Sequence, residues 1–258
     1  MKDIDKYAYI SKLRLINPSQ KLLFMSMTLI VCLCADSVAV SIAVTILMTY
    51  LIVYKGGTSI KLFLKLLSFP LGFLVLSILT LLFEISADTD IFLYFISIGG
   101  FNVGITSASL EIVKILFLKS FACVSCLYFL CLTTPIPDFL EALRKIKCPV
   151  ILIEMMELIY RFIFILIDTA YIMQVAQASR LGYKNIKVGM RSFGMLISNL
   201  LVRALKINNN LYIALESRGY NGTLKVLNNQ TYTDISSIKM ILIEIVLIAI
   251  AVGEKIWF

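Results

Sequence analysis

Two short stretches carry the side chains best suited to recognition: QASRLGYKN around Arg180 and ALESRGYNG around Arg218. Each sets an arginine on the last turn of a helical pattern, just ahead of a glycine. A guanidinium is a permanently charged planar fork of donors, so it can anchor in a partner's groove, satisfy exposed carbonyls or carboxylates there and transmit a push. One such end needs no function, because a cation there meets the negative end of the helix dipole and glycine relieves the backbone. Two of them, on separate helices, suit a partner that presents two grooves.

A second constellation lies on the helical pattern from 150 to about 180. Glu154, Glu157, Arg161 and Asp168 fall within a narrow arc, with Glu157 four residues before Arg161, and Ile159, Phe162, Ile163, Leu166 and Ile167 lie opposite. The stripe reads either as a solvated face with an internal ion pair or as a set of carboxylate ligands and acid/base groups. Arg161 weighs against the second reading, since a central guanidinium competes with a divalent cation. Cys123-Val-Ser-Cys126 has metal-ligand or redox spacing but sits in an apolar run, where cysteine packs as a small hydrophobe. The chain has no histidine, which excludes histidine catalysis and removes the commonest ligand of late transition metals. No Walker motif, GxSxG or HExxH occurs either, so catalytic residues, cofactors and a metal site are not expected, and an energy-coupled role requires another subunit to bind nucleotide.

The elements that hold these residues belong to a membrane protein. Of 258 residues, 60% are apolar and 16% charged, and the mean hydropathy is +0.92, beyond what an ordinary globular fold uses. The net charge of +8 is explained by cytoplasmic loops facing anionic lipid, without nucleic acid. Five apolar regions are expected to span: 22–36, 38–54, 66–84, 105–133 and 237–253. The first is expected to remain as an anchor, since the long mixed-charge stretch before it does not look like a signal peptide. The short ADS joining the first two makes them a helical hairpin. Gly99, Gly100 and Gly104 point to an irregular outer segment before the fourth span, with partial re-entry left open.

Basic residues set the orientation. Lys2, Lys6, Lys12, Arg14 and Lys21 precede the first span, and Lys55, Lys61 and Lys65 lie between the second and third. Glu84, Asp88 and Asp90 follow the third with no Lys or Arg. The amino terminus is therefore expected to be cytoplasmic, and the 85–104 link outside. Lys114 is expected to snorkel, whereas Lys119 is open between snorkelling and a contact. In TTPIPDF the prolines end the fourth span and Asp138 is positioned to cap the next helix; Gly182 is positioned to end the long one in the left-handed conformation. The expected fold is an all-α membrane protein of about five transmembrane helices plus a cytoplasmic coupling domain of long amphipathic helices. It divides as four spans in 1–133, coupling helices in 134–236 and a last span in 237–258.

Several stretches together resemble a known family: IDKYAYISKLRLINPSQKLL, LTTPIPDFLEALRKIKCP, LIYRFIFILIDTAYIMQVAQASRLGY and ALESRGYNG. They are similar to the transmembrane T subunits of energy-coupling-factor (ECF) ABC transporters, and more closely to the cobalt-transport branch typified by CbiQ. The resemblance implies a non-catalytic permease subunit of a prokaryotic cell (inner) membrane, crossing it several times, that links a CbiM-like substrate-capture subunit to two ATP-binding cassette ATPases. A small accessory membrane subunit is an open addition. Arg218 then takes the place of the arginine in the second Ala-Arg-Gly-type coupling motif, with Ser217 and Gly219 beside it, and Arg180 that of the first, with Ser179 and Leu181. Ser179 and Ser217 stand where alanine is expected, and Leu181 stands where glycine is. Each arginine would enter a groove of one ATPase, and Phe162, Ile163 and Leu166 would face the capture subunit. Cobalt is the expected substrate; nickel or vitamin capture subunits, a stand-alone carrier and a membrane enzyme are the alternatives.

Overall fold

The computed structural model describes residues 2–86, 92–98, 101–220, 232–233 and 237–257, and separates into two compact units: Met1–Ala142 with Gln230–Phe258, and Leu143–Asn229. The first is a helical body. A short α1 (Lys2–Ile10) and a 3-10 turn (Lys12–Leu15) lead into α2 (Pro18–Cys34), α3 (Val38–Tyr50), α4 (Ile60–Leu82), α5 (Ser107–Thr133), α6 (Ile136–Lys145) and, after the second unit, α9 (Ser237–Trp257). The second unit holds α7 (Val150–Ser179) and α8 (Ile186–Glu216). All five apolar regions read from the sequence are helical, so the all-α membrane class stands. Val38–Lys55, Ile60–Leu82 and Ser109–Thr133 are long and apolar enough to cross a bilayer, as is α8, whose mean hydropathy of 1.2 is the lowest of these four; Pro18–Cys34 and Ile241–Ala251 are apolar but shorter.

The helix starts follow from local chemistry. The Asn17 side chain accepts from Ser19 N–H, with Pro18 at the first helical position, where a missing N–H costs nothing. Ser37 caps α3 and Ser59 caps α4 in the same way. The end of α3 loosens into π-helical geometry over Leu51–Lys55 and stops at Gly56 and Gly57.

One expectation is corrected here. The link after α4 contains a three-stranded antiparallel sheet, β1 (Glu84–Ser86), β2 (Phe92–Ile98) and β3 (Phe101–Thr106), in the order β1-β3-β2. Glu84 pairs with Gly104 and Ile98 with Phe101, so Gly104 lies in the middle strand of the sheet rather than in an irregular loop. Apolar and β-branched residues such as those of FLYFISI favour a pleated ribbon whose backbone groups pair with one another. Asp88, Asp90, Gly99 and Gly100 lie outside the described residues.

α5 is the axis of the first unit and packs against α1, α2, α3 and α4. Its Ala122, Ser125 and Cys126 are fully buried, and small residues of this kind let neighbouring backbones approach. Cys126 and Cys32 therefore serve the core, as expected of the CxxC stretch, and all six cysteines are free thiols. Pro70 interrupts α4 and cannot donate to the Leu66 carbonyl four residues earlier. The Tyr128 hydroxyl of α5 donates to that carbonyl at 2.9 Å and so replaces the missing bond. Lys119 Nζ lies 2.8 Å from Asp36 Oδ1 in the α2–α3 turn, which makes it an ion-pair partner rather than a lone charge. Lys114 is exposed on α5.

Polar contacts gather where the chain enters and leaves this unit. Lys21 Nζ donates to the Thr133 carbonyl at 2.9 Å, placing a cation on the negative end of α5. Asp138 does not cap α6 as expected. It lies in the first turn, buried, with Arg14 Nε at 3.9 Å and the Tyr232 hydroxyl donating to it at 3.3 Å and to Glu141 at 3.0 Å. Thr233 donates its N–H to the Leu15 carbonyl and its own carbonyl accepts from Asn17 N–H, drawing the returning chain back to the start of α2.

Two predictions follow from this unit. Tyr128→Phe is expected to cost about 1–2 kcal/mol in detergent unfolding by orphaning the Leu66 carbonyl, and nearly nothing when combined with Pro70→Ala, which restores the helical donor; equal costs in both backgrounds would contradict the pairing. Burial pushes the Asp138 carboxyl above its ordinary value, opposed by Arg14, Tyr232 and Lys21 and reinforced by Glu141. A folded value raised above the unfolded one contributes stability that is full below the unfolded value, near pH 4, and is lost as pH rises through the folded value. Asp138→Asn is expected to flatten that decline when melting is followed between about pH 4 and pH 7.

Candidate functional site

Both arginine ends are built the same way, more closely than the sequence echo requires. At the end of α7, Gly182 N–H donates to the Gln177 carbonyl and Leu181 N–H to the Ala178 carbonyl. At the end of α8, Tyr220 N–H donates to the Leu215 carbonyl and Gly219 N–H to the Glu216 carbonyl. These paired bonds close a helix end when the residue between them takes the left-handed conformation. That residue is Leu181 (φ +58°) in the first and Gly219 (φ +75°) in the second. Arg180 and Arg218 therefore occupy equivalent positions, each immediately before the left-handed residue.

This corrects the role of Gly182. It does not supply the left-handed turn; it is a point of close approach, since a Cβ there would lie 2.8 Å from the Gln177 carbonyl oxygen and 2.9 Å from Ser192 Oγ. Leu181 accepts the unfavourable φ because Gly182 is held by packing, and its side chain is 69% exposed. The serines standing where alanine is expected behave as small residues. Ser179 Oγ donates to the Val175 carbonyl and Ser217 Oγ to the Ala214 carbonyl, so both hydroxyls fold back on their own helices.

The backbone amides close the last carbonyls without help from the guanidinium groups. Arg180 and Arg218 are both exposed, and among the described residues neither makes an ion pair or side-chain hydrogen bond. Each end is instead fixed by a tyrosine just beyond it, a signal present in the RLGY and RGY echo that the sequence reading did not use. The Tyr183 hydroxyl donates to Gln177 Oε1 at 2.8 Å, Gln177 Nε2 donates to the Ser192 carbonyl, and Ser192 Oγ donates to the Gly182 carbonyl at 2.7 Å. The Tyr220 hydroxyl reaches Glu154 Oε2 at 3.4 Å. Partial burial, then the Glu154 carboxylate, raises the Tyr220 phenol above its ordinary value.

The acidic stripe divides into separate jobs. Glu154 is buried beside Tyr220, Glu157 accepts from Arg161 at 2.9 Å as the helical spacing predicts, and Asp168 is exposed further along. Among the described residues no group of three or more His, Cys, Asp or Glu comes together to hold a metal ion. Phe162, Ile163 and Leu166 are half-buried, between exposed Ile159 and Ile167.

Comparison with protein families finds that the model of the CbiQ family, described as cobalt transport protein, matches residues 10–233. An uncharacterized protein of Methanocaldococcus jannaschii is 31% identical across 98% of this chain and 93% of its own length. A putative fused cobalt transport protein CbiMQ of Methanocorpusculum labreanum is 30% identical across 86% of this chain, which spans 37% of the fused protein. The cobalt transport protein CbiQ of Salmonella typhimurium is 32% identical over 60% of this chain and 69% of its own length.

The two ends respond differently to substitution. Leu181→Gly is expected to stabilise the α7 end by about 1 kcal/mol through relief of its left-handed backbone. Gly182→Ala is expected to destabilise it by about 1–3 kcal/mol by overpacking. Hydrogen exchange at the Gly182 amide, slower in the first variant and faster in the second, is the check.

Proposed function

The chain belongs to the CbiQ cobalt transport protein family, and from that premise we propose that it is the T subunit of an ECF-type importer, seated on two ATPases through Arg180 and Arg218 and moving a membrane capture subunit for cobalt ion uptake. It is a multi-pass membrane protein with no catalytic role of its own. The observation that carries the proposal is the pair of equivalent helix ends, each with an exposed guanidinium that its own helix does not need. A charged fork on a closed helix end is ready to enter a groove, because the last carbonyls are already satisfied and little has to be undone on docking.

The same two ends support the transmission of force. α7 and α8 are 30 and 31 residues long, and they are tied at the first end through Gln177, Ser192 and Gly182 and at the second through Tyr220 and Glu154. A push received at an arginine is then carried by stiff helices instead of being absorbed in a loop. The half-buried Phe162, Ile163 and Leu166 are the residues through which α7 would press on the capture subunit. The fused relative, whose name joins M to Q, supports a CbiM-like partner, and the names of the curated relatives support cobalt as the cargo. A cytoplasmic amino terminus fits the excess of lysine and arginine around the first three spans.

The test is co-expression with a CbiM-like capture subunit and two ATPases, followed by purification in mild detergent and uptake measurement in vesicles. Arg218→Glu and Arg180→Glu are each expected to weaken ATPase retention about 30-fold or more, the loss of an interface anchor worth about 2 kcal/mol, and to abolish ATP-dependent cobalt uptake while the chain still inserts. Uptake that survives both substitutions together would rule out the coupling role.

A further inference from the structure

In the first unit a groove of about 460 Å³ opens between α2 and α9, lined by Gln20, Leu23, Phe24 and Met27 of α2 and by Ile241, Glu244, Ile245 and Ile248 of α9. Of the five described side chains with a buried polar atom lacking a hydrogen-bond partner, Glu244 is the one that lines this groove. It is 7% exposed, and among the described residues its buried Oε2 has no hydrogen-bond partner. Its Oε1 lies 2.8 Å from the Thr28 hydroxyl, which is also 2.6 Å from the Phe24 carbonyl. The Thr28 hydroxyl lies within reach of both acceptors, and Oε2 is the carboxyl oxygen left without a partner.

The walls limit what can fill the groove. Thr28 lies about 15 Å along α2 from Pro18, near the middle of a hydrocarbon layer about 30 Å thick, where bulk water does not supply donors. A lipid tail fits the apolar walls but leaves Oε2 unpaired. A passing helix can do both: ridges of apolar side chains fill the groove and one polar side chain donates, the arrangement by which polar residues join helices in membranes. Met27, Ile241, Ile245 and Ile248 are all substantially exposed along this seam, so α2 and α9 present a continuous apolar face to such a neighbour.

We propose that this groove seats a transmembrane helix of the capture subunit, and that a hydroxyl, amide or amine hydrogen on that helix bonds Glu244 Oε2. The inference rests on the reading above, that the chain works with a membrane capture subunit. It adds a contact within the bilayer, on residues distinct from the two arginine ends.

The experiment uses the complex of this chain, a CbiM-like capture subunit and two ATPases, with benzoylphenylalanine placed at Met27 or at Ile248. Illumination is expected to give an adduct with the mass of this chain plus the capture subunit. Glu244→Leu, which keeps the volume and removes the acceptors, is expected to reduce both the adduct and the retained capture subunit about ten-fold; Glu244→Gln, which keeps one acceptor oxygen, retains both. ATPase retention, set by Arg180 and Arg218, is expected to be unchanged in either variant. Adducts to lipid alone, adducts to a second copy of this chain, or an unchanged capture subunit in Glu244→Leu would overturn the inference. Absence of the ATPases from the unsubstituted preparation overturns the coupling role instead, and the adduct then still reports on the groove by itself.

Discussion

The last carbonyls of α7 and α8 are satisfied by the chain's own amides, through the bonds from Gly182 to Gln177 and from Tyr220 to Leu215. The two arginines depend on that closure. A helix that ended frayed would draw a neighbouring guanidinium back onto its bare carbonyls, where the dipole also favours it. Closed by a left-handed residue, the end has no vacancy, and the donors of the arginine one position earlier are not drawn onto its own helix. The cost is unequal: Gly219 takes φ +75° freely, whereas Leu181 takes φ +58° against its Cβ. Leucine persists because the next residue, Gly182, is wedged against Gln177 and Ser192, which determines where the chain must turn.

The same demand for internal partners organises the membrane body, where water cannot make up a missing bond. Tyr128 replaces the donor that Pro70 removes, Lys21 closes the end of α5, and Thr28, Thr45, Thr49 and Thr133 fold their hydroxyls onto carbonyls four residues earlier. Lys119, an expensive charge on a long apolar helix, is matched by Asp36. Among the described residues five buried side-chain atoms lack a hydrogen-bond partner, on Arg14, Ser19, Thr134, Asp138 and Glu244; of these, Glu244 is the one that borders an open apolar groove.

Much of this was legible in the sequence because it depends on short separations. Hydropathy marked all five apolar helices, and the Glu157–Arg161 pair followed from i,i+4 spacing. The arginine echo located both ends. What stayed hidden depends on residues far apart or on a choice between equal candidates. Tyr128 and Leu66 are 62 positions apart, Thr28 and Glu244 are 216. The stripe from Glu154 to Asp168 looked uniform because a helical projection cannot tell which member meets Tyr220. In RLGY either residue after the arginine could have turned left-handed, and general preference named the glycine; packing around Ser192 chose the leucine. The sheet at 84–106 was missed because its apolar stretch also reads as membrane-lining chain.

α8 poses the sharpest question of placement, since by length and mean hydropathy it can cross a bilayer. Its charges argue against that. Lys187 and Arg191 stand near its start, but Arg203 and Lys206 stand past its middle, and a spanning α8 would bring Arg203 close to the bilayer centre, at a cost of about 2.5–3.5 kcal/mol per such residue on insertion scales. No ion pair offsets it among the described residues, in contrast to Lys119 with Asp36. A helix lying against protein would avoid the cost, because its lysines and arginines could reach water while Phe193, Ile197, Leu201 and Leu205, all exposed in the isolated chain, would be covered. The greasy character that makes α8 look like a span is thus also the character of a helix that works between subunits, which is what the coupling role proposed for Arg218 requires.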